Sequence, residues 1–129
     1  RVGNVQYRLL KLATPGPWTF ILEATKEVPR RVSHPSRKTI GIRVPDNKIV
    51  QQLVDSVGSP LLSTTLIPEG ATEALNDIDE IAAHYKGQIA GIVDGGPCAM
   101  QPTTVIDLTS DTPEVLRRGS GDPAKLGLD

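Results

Sequence analysis

Residues 39–65, TIGIRVPDNKIVQQLVDSVGSPLLSTT, constrain the fold more than any other stretch of this chain. TIGIRV alternates around β-branched residues and carries Arg43 inside the run. Pro45-Asp46 stops a strand and offers a helix cap. Ile49, Val50, Leu53, Val54 and Val57 then recur at helical spacing and form one apolar face. Gly58-Ser59-Pro60 ends that helix, and LLSTT reads as a second short strand. Strand, helix and strand in 27 residues predict a βαβ unit with parallel strands and a right-handed crossover. Polar side chains at the carboxyl ends of such strands are where α/β proteins bind ligands. Arg43, Ser63, Thr64 and Thr65 are therefore the first candidates for a site.

The flanking segments extend the same pattern. NVQYRLLKLA, residues 4–13, carries a partial apolar helical stripe, which Thr14-Pro15-Gly16-Pro17 breaks. Residues 18–24, WTFILEA, are strongly β-prone. Residues 26–38 form a polar, proline-punctuated connection. After Pro68-Glu69-Gly70 turns the chain, Asn76 and the acids that follow open a helix that stops at Gly87. QIAGIV (88–93), TTVIDL (103–108) and EVLR (114–117) read as strands, and residues 119–129 as a tail. Strands alternating with helices, then closing strands, predict an α/β fold with a twisted, mixed, open sheet and flanking helices.

Charge is balanced overall, with 14 Lys and Arg against 15 Asp and Glu, so the molecule has no strong field to recruit nucleic acid or membrane. The distribution is uneven. Lys26, Arg30, Arg31, Arg37, Lys38 and Arg43 crowd one segment, while Glu69, Glu73, Asp77, Asp79 and Glu80 crowd another. The basic end suits an anionic ligand, although two solvated loops of opposite sign would give the same pattern. One cysteine, Cys98, excludes an internal disulfide and a zinc cluster, and points to a reducing, cytoplasmic setting. No apolar run approaches the length of a membrane span.

Generic signatures are absent: no P-loop, GxGxxG, HExxH or CxxC occurs. Asp94 beside Gly95-Gly96 is expected to bond its own backbone rather than a ligand. Ser63, His84 and Asp107 can be assembled into a triad only on paper, since no nucleophile elbow accompanies them. Thr103 and Arg117 stand out by company, because they sit at strand termini, as do Arg43, Ser63 and Thr65. If those termini converge, hydroxyl and guanidinium groups would surround phosphate and carboxylate.

Four runs carry a family resemblance: PGPWTFILEATKEVPRR, KTIGIRVPDNKIVQQL, SPLLSTT and QPTTVIDLTSDTPEVLRRGSGD. In this order and spacing they resemble the YrdC-like family, and most closely its YciO branch, from about Val5 to Asp122. The resemblance implies a twisted α/β domain with a concave basic groove. The family's best-known members are threonylcarbamoyl-AMP synthases, which join L-threonine, bicarbonate and ATP into threonylcarbamoyl-AMP and pyrophosphate for the t6A modification of tRNA. It implies ATP as a substrate, with magnesium, and no group acting as a covalent catalyst. By the same resemblance, Thr39, Arg43, Ser63 and Thr103 match substrate-binding positions, with Arg43 on the threonine carboxylate. Thr65 and Arg117 match nucleotide-binding positions.

The chain departs from the synthase pattern at Ile67, where synthases carry Asn; isoleucine cannot hydrogen-bond phosphate or help position magnesium. The YciO branch shares that loss. The family's opening section, with its Lys-x-Arg pair, has no counterpart here, so residues 1–129 resemble the C-terminal part of a YrdC-like domain. Two functions follow as expectations. One is threonylcarbamoyl-AMP synthesis. The other is YciO-type binding of nucleotide, double-stranded RNA or tRNA without that synthesis.

Overall fold

The computed structural model describes residues 3–25, 38–98 and 101–128. The connection carrying Lys26, Arg30, Arg31, His34 and Arg37 lies outside the described residues. Two compact units form, one from Arg1–Ser59 with Gln101–Asp129 and the other from Pro60–Met100.

The first unit is built on a four-stranded sheet. Its strands are β1 (Trp18–Glu23), β2 (Thr39–Ile42), β3 (Thr104–Asp107) and β4 (Glu114–Arg117), in the order β2-β1-β3-β4. β1 runs parallel to β3 and antiparallel to β2, and β3 runs antiparallel to β4. The mixed α/β sheet expected from the sequence is formed.

Strict alternation along these strands separates the two faces of the sheet. Trp18, Phe20 and Leu22 on β1, with Ile106 on β3 and Leu108 just past its end, point to one side and are buried. Register pairs Phe20 with Ile106 and with Ile42, so the inward side chains stack across three strands. Helix α1 (Asn4–Ala13) covers this face with Leu9, Leu10 and Ala13. Thr14 closes the helix, its N–H and hydroxyl both donating to the Leu10 carbonyl at 3.0 and 2.7 Å.

The chain's end completes the core rather than trailing from it. Asp122 caps a short 3-10 helix, Pro123–Leu126, by accepting from the Ala124 N–H at 3.1 Å. Pro123 is buried, and Leu126 and Leu128 pack on the core. The tail expected over residues 119–129 is thus a closing element. Its apolar residues were too widely spaced to register as a pattern. Two glycines admit it. A Cβ on Gly119 would overlap the Pro102 carbonyl, and one on Gly121 would come 2.9 Å from the Trp18 ring.

The predicted βαβ unit is not formed. Helix α2 (Lys48–Val57) does follow β2, but Asn47 caps it rather than Asp46, accepting from the Ile49 and Val50 N–H groups at 3.0 and 3.1 Å. Gly58 ends it in the left-handed conformation, with φ 77°. Beyond it, residues 61–65 form no strand, and neither do residues 88–93. A strand exists only where a neighbour completes its hydrogen-bond ladder, and no described residues pair with either run. Leu62 is 75% exposed and Val93 63%. β2 instead pairs with β1, upstream of it, and runs antiparallel.

The second unit contains helix α3 (Ile78–His84), with Asp77 at the N-cap position. Asn76, the expected cap, instead bridges to Cys98: its amide accepts from the Cys98 N–H at 2.7 Å and donates to the Cys98 carbonyl at 2.8 Å.

Ile106 and Thr104 are fully buried, and their roles in stability differ. Ile106→Ala is expected to cost about 2–5 kcal/mol, because the cavity lies among β1, β3 and α1 where little can relax. The Thr104 hydroxyl donates to the Gly121 carbonyl at 2.6 Å and accepts from the Gly119 N–H at 2.9 Å. Thr104→Val keeps the volume and orphans both groups, so a loss of about 1–3 kcal/mol is expected in urea unfolding. A Thr104→Val midpoint equal to that of the wild type would contradict this role for the hydroxyl.

Candidate functional site

The face of the sheet opposite α1 is set by the same alternation. Thr19 and Ile21 on β1, Thr39 and Gly41 on β2, and Val105 and Asp107 on β3 have the outward parity. At one end of this face the strand order brings four polar residues into a row. Arg43 follows β2, Thr19 is the second residue of β1, Thr103 precedes β3, and Arg117 ends β4. With neighbouring strands ~4.8 Å apart, the row spans about 14 Å from the Arg43 backbone to that of Arg117.

Three of the four are joined. The hydroxyl oxygens of Thr19 and Thr103 are 2.6 Å apart. The Arg117 guanidinium donates from Nε and Nη2 to the Thr103 carbonyl at 3.1 and 2.9 Å, and from Nη2 to the Thr103 hydroxyl at 3.1 Å. This fork holds the end of β4 against the start of β3. It also occupies the Nε and Nη2 edge of the guanidinium and leaves Nη1 free of partners among the described residues. A planar, cationic group oriented in this way suits phosphate or carboxylate oxygens.

Arg43 is exposed, at the β2 end of the row. Thr39 lies on the same face but at the other end of β2, opposite Glu23. Between them, Gly41 leaves the face bare: a Cβ there would only touch the Thr19 methyl, at 3.6 Å. The sheet therefore gathers Arg43, Thr103 and Arg117 and sets Thr39 apart. Their end is the amino end of the parallel pair β1 and β3, not a carboxyl end as expected. β2 and β4, which run the other way, bring their carboxyl ends there.

Thr19 escapes the sequence reading because WTFILE looks like strand propensity alone. Its outward parity between the buried Trp18 and Phe20 is the one available signal.

Ser63 and Thr65 belong to the second unit and are exposed. The Ile67 N–H donates to the Thr65 carbonyl at 2.9 Å, a tight turn that leaves Ile67 45% exposed. A cavity of about 290 Å³ in this unit is lined by Asn76, Ile78, Ile81 and the 92–97 turn, and includes none of the predicted site residues. Asp94, as expected, accepts from the Gly96 N–H at 3.0 Å within that turn. The paper triad gains no support. Asp107 accepts from the N–H and hydroxyl of Thr109, and the His84 ring packs edge-on against Tyr85.

Among the described residues, no group of three or more His, Cys, Asp and Glu side chains is arranged to hold a metal ion.

Comparison with known proteins places the chain among relatives of the same fold. YciO of Escherichia coli K12, an uncharacterized protein, is 51% identical over 121 residues, which are 94% of this chain and 59% of YciO. The crystal structure of E. coli YciO superposes with a TM-score of 0.88, covering 97% of this chain and 61% of that one. The chain thus spans about three-fifths of that relative. Threonylcarbamoyl-AMP synthase of Bacillus subtilis is 32% identical over 86% of this chain and 32% of its own. Sua5 of Pyrococcus abyssi, whose structure holds L-threonine, superposes with a TM-score of 0.81 at 28% identity, over 92% of this chain and 35% of that one. The family model described as telomere recombination, which unites Sua5, YciO and YrdC, matches residues 1–119, and the chain belongs to that family.

Proposed function

We propose that this chain carries the substrate-binding sheet of a threonylcarbamoyl-AMP synthase-type domain. The observation that carries the reading is the row of Arg43, Thr19, Thr103 and Arg117, with an arginine at each end and hydroxyl-bearing residues between them. Arg43 holds the carboxylate of L-threonine. Thr103 binds the same substrate through its hydroxyl. Arg117 contacts the nucleotide, with its Nη1 donors on phosphate oxygen. The sequence likeness to the synthases and the L-threonine bound in P. abyssi Sua5 support this assignment.

The overall reaction converts L-threonine, bicarbonate and ATP into threonylcarbamoyl-AMP, pyrophosphate and water. The threonine amine takes up the carbon of bicarbonate, and the resulting carbamate oxygen displaces pyrophosphate from the α-phosphate. Little covalent help is needed. Holding two anions in line, with cations on the developing charge, accounts for most of such catalysis. With ATP bound as its magnesium complex, further charge neutralisation would come from the metal.

A second reading rests on Ile67, the hydrophobic residue at the position where synthases carry Asn. It keeps the nucleotide contact and drops the synthesis, leaving a protein that binds nucleotide or double-stranded RNA. The charge of the first unit favours an anionic partner: 13 Lys and Arg against 9 Asp and Glu give a net +4, whereas the second unit, with one base and six acids, carries −5.

Isothermal titration separates the two. Under the synthase reading the chain binds L-threonine and ATP and releases pyrophosphate when bicarbonate is added. Arg43→Ala weakens L-threonine by roughly 10- to 100-fold, as expected for loss of a charge-assisted contact, and leaves ATP nearly unchanged. Nucleotide binding without pyrophosphate release, with RNA affinity that falls steeply with salt, selects the second reading. No heat with either ligand and no pyrophosphate would overturn the first.

A further inference from the structure

The contact between Thr19 and Thr103 is the one tie in the row that the proposed contacts do not use. A threonine hydroxyl has one proton and two lone pairs. The Thr103 oxygen already accepts from Arg117 Nη2 at 3.1 Å and lies 2.6 Å from the Thr19 oxygen. Two protons belong to this pair of hydroxyls, and one is spent between them. If Thr19 donates, both lone pairs of Thr103 are filled and its own proton is left over. If Thr103 donates, the proton of Thr19 is left over. In both arrangements the pair of Thr103 and Thr19, backed by Arg117, keeps one hydroxyl proton with no acceptor among the described residues.

We infer that Thr19 is a positioning residue, which holds the Thr103 hydroxyl in one rotamer so that the pair presents one oriented donor to a ligand oxygen that only accepts. Carboxylate, carbamate and phosphate oxygens have that property; an amine or a hydroxyl donor does not gain from it. The guanidinium behind the pair favours the same anions and polarises both hydroxyls. Specificity follows from this arrangement, since a ligand lacking the anionic oxygen leaves a half-buried donor unpaired.

Several observations support a role beyond packing. Thr19 points away from the core formed by Trp18 and Phe20 on either side of it. Its methyl faces Gly41, where no side chain covers it, and Thr19 and Thr103 are both only half-buried. The three groups come from β1, from the residue before β3 and from β4, so sheet pairing itself sets their spacing.

The inference rests on reading the outward face as a ligand surface, and two variants separate its failure from the failure of that reading. Thr19→Val removes the hydroxyl and keeps the shape, and Thr19→Ser restores it. Three-bond couplings from the backbone to the Thr103 methyl report its χ1 without any ligand. One rotamer is expected in the wild type and in Thr19→Ser, and an averaged one in Thr19→Val, with all three melting cooperatively. L-threonine and ATP are then titrated separately. The ligand whose oxygen meets the pair is expected to bind roughly 5- to 10-fold more weakly to Thr19→Val and within about twofold of wild type to Thr19→Ser. Wild-type affinity for both ligands in Thr19→Val, equal weakening in Thr19→Ser, or a Thr103 rotamer unmoved by Thr19→Val would each overturn the inference. If the wild type binds neither ligand, the functional reading fails, and the couplings still decide whether Thr19 orients Thr103.

Discussion

Phe20 and Ile106 stand opposite one another across the parallel pair β1 and β3, and both are essentially removed from solvent. Side chains in a strand alternate, so a slip of one residue in this register would turn every buried side chain of β3 outward. Burying Phe20 and Ile106 together fixes the register. That register places Thr103 beside Thr19 on the other face. β4 then joins on the far side of β3 and brings Arg117 to Thr103, while β2 joins on the far side of β1 and brings Arg43 to the same edge. The polar row is therefore the reverse side of the core. The two cannot be varied independently.

This dependence accounts for the close approaches at the chain's end. Gly119 and Gly121 lie against the Pro102 carbonyl and the Trp18 ring, and Thr104 hydrogen-bonds the backbone of both glycines. The closing segment thus locks the start of β3, the point from which Thr103 reaches outward. A polar group buried as deeply as Thr104 is tolerable only because both of its bonds are made, and those bonds hold the site's framework as well as the fold.

How much of this could be read from the residues follows from range. Helix α1 matches its predicted span, residues 4–13, because its apolar stripe and the Pro-Gly-Pro break are local signals. β1, β3 and β4 were legible for the same reason: β-branched and aromatic runs bounded by turn residues. The expected strands over residues 61–65 and 88–93 have equally strong local propensity, yet pairing partners decide strands, and pairing is long-range. Arg43, Thr103 and Arg117 were found as polar residues at strand termini. Their convergence required the sheet order, which the residues do not encode locally. Thr19 and the Asn47 cap were missed for smaller reasons, a hydroxyl hidden in a hydrophobic run and a one-residue shift in a helix start.

The central claim is that the outward face of this sheet, at the end marked by Arg43, Thr19, Thr103 and Arg117, receives the ligand. Backbone and methyl NMR shifts followed during titration with L-threonine and then ATP test it most directly. The account predicts perturbations at Thr19, Gly41, Arg43, Thr103 and Arg117, with Phe20, Ile106 and Leu126 on the opposite face nearly still. Saturating shifts confined to α1 and the 3-10 helix, or to the cavity beside Ile78 and Ile81, would contradict it.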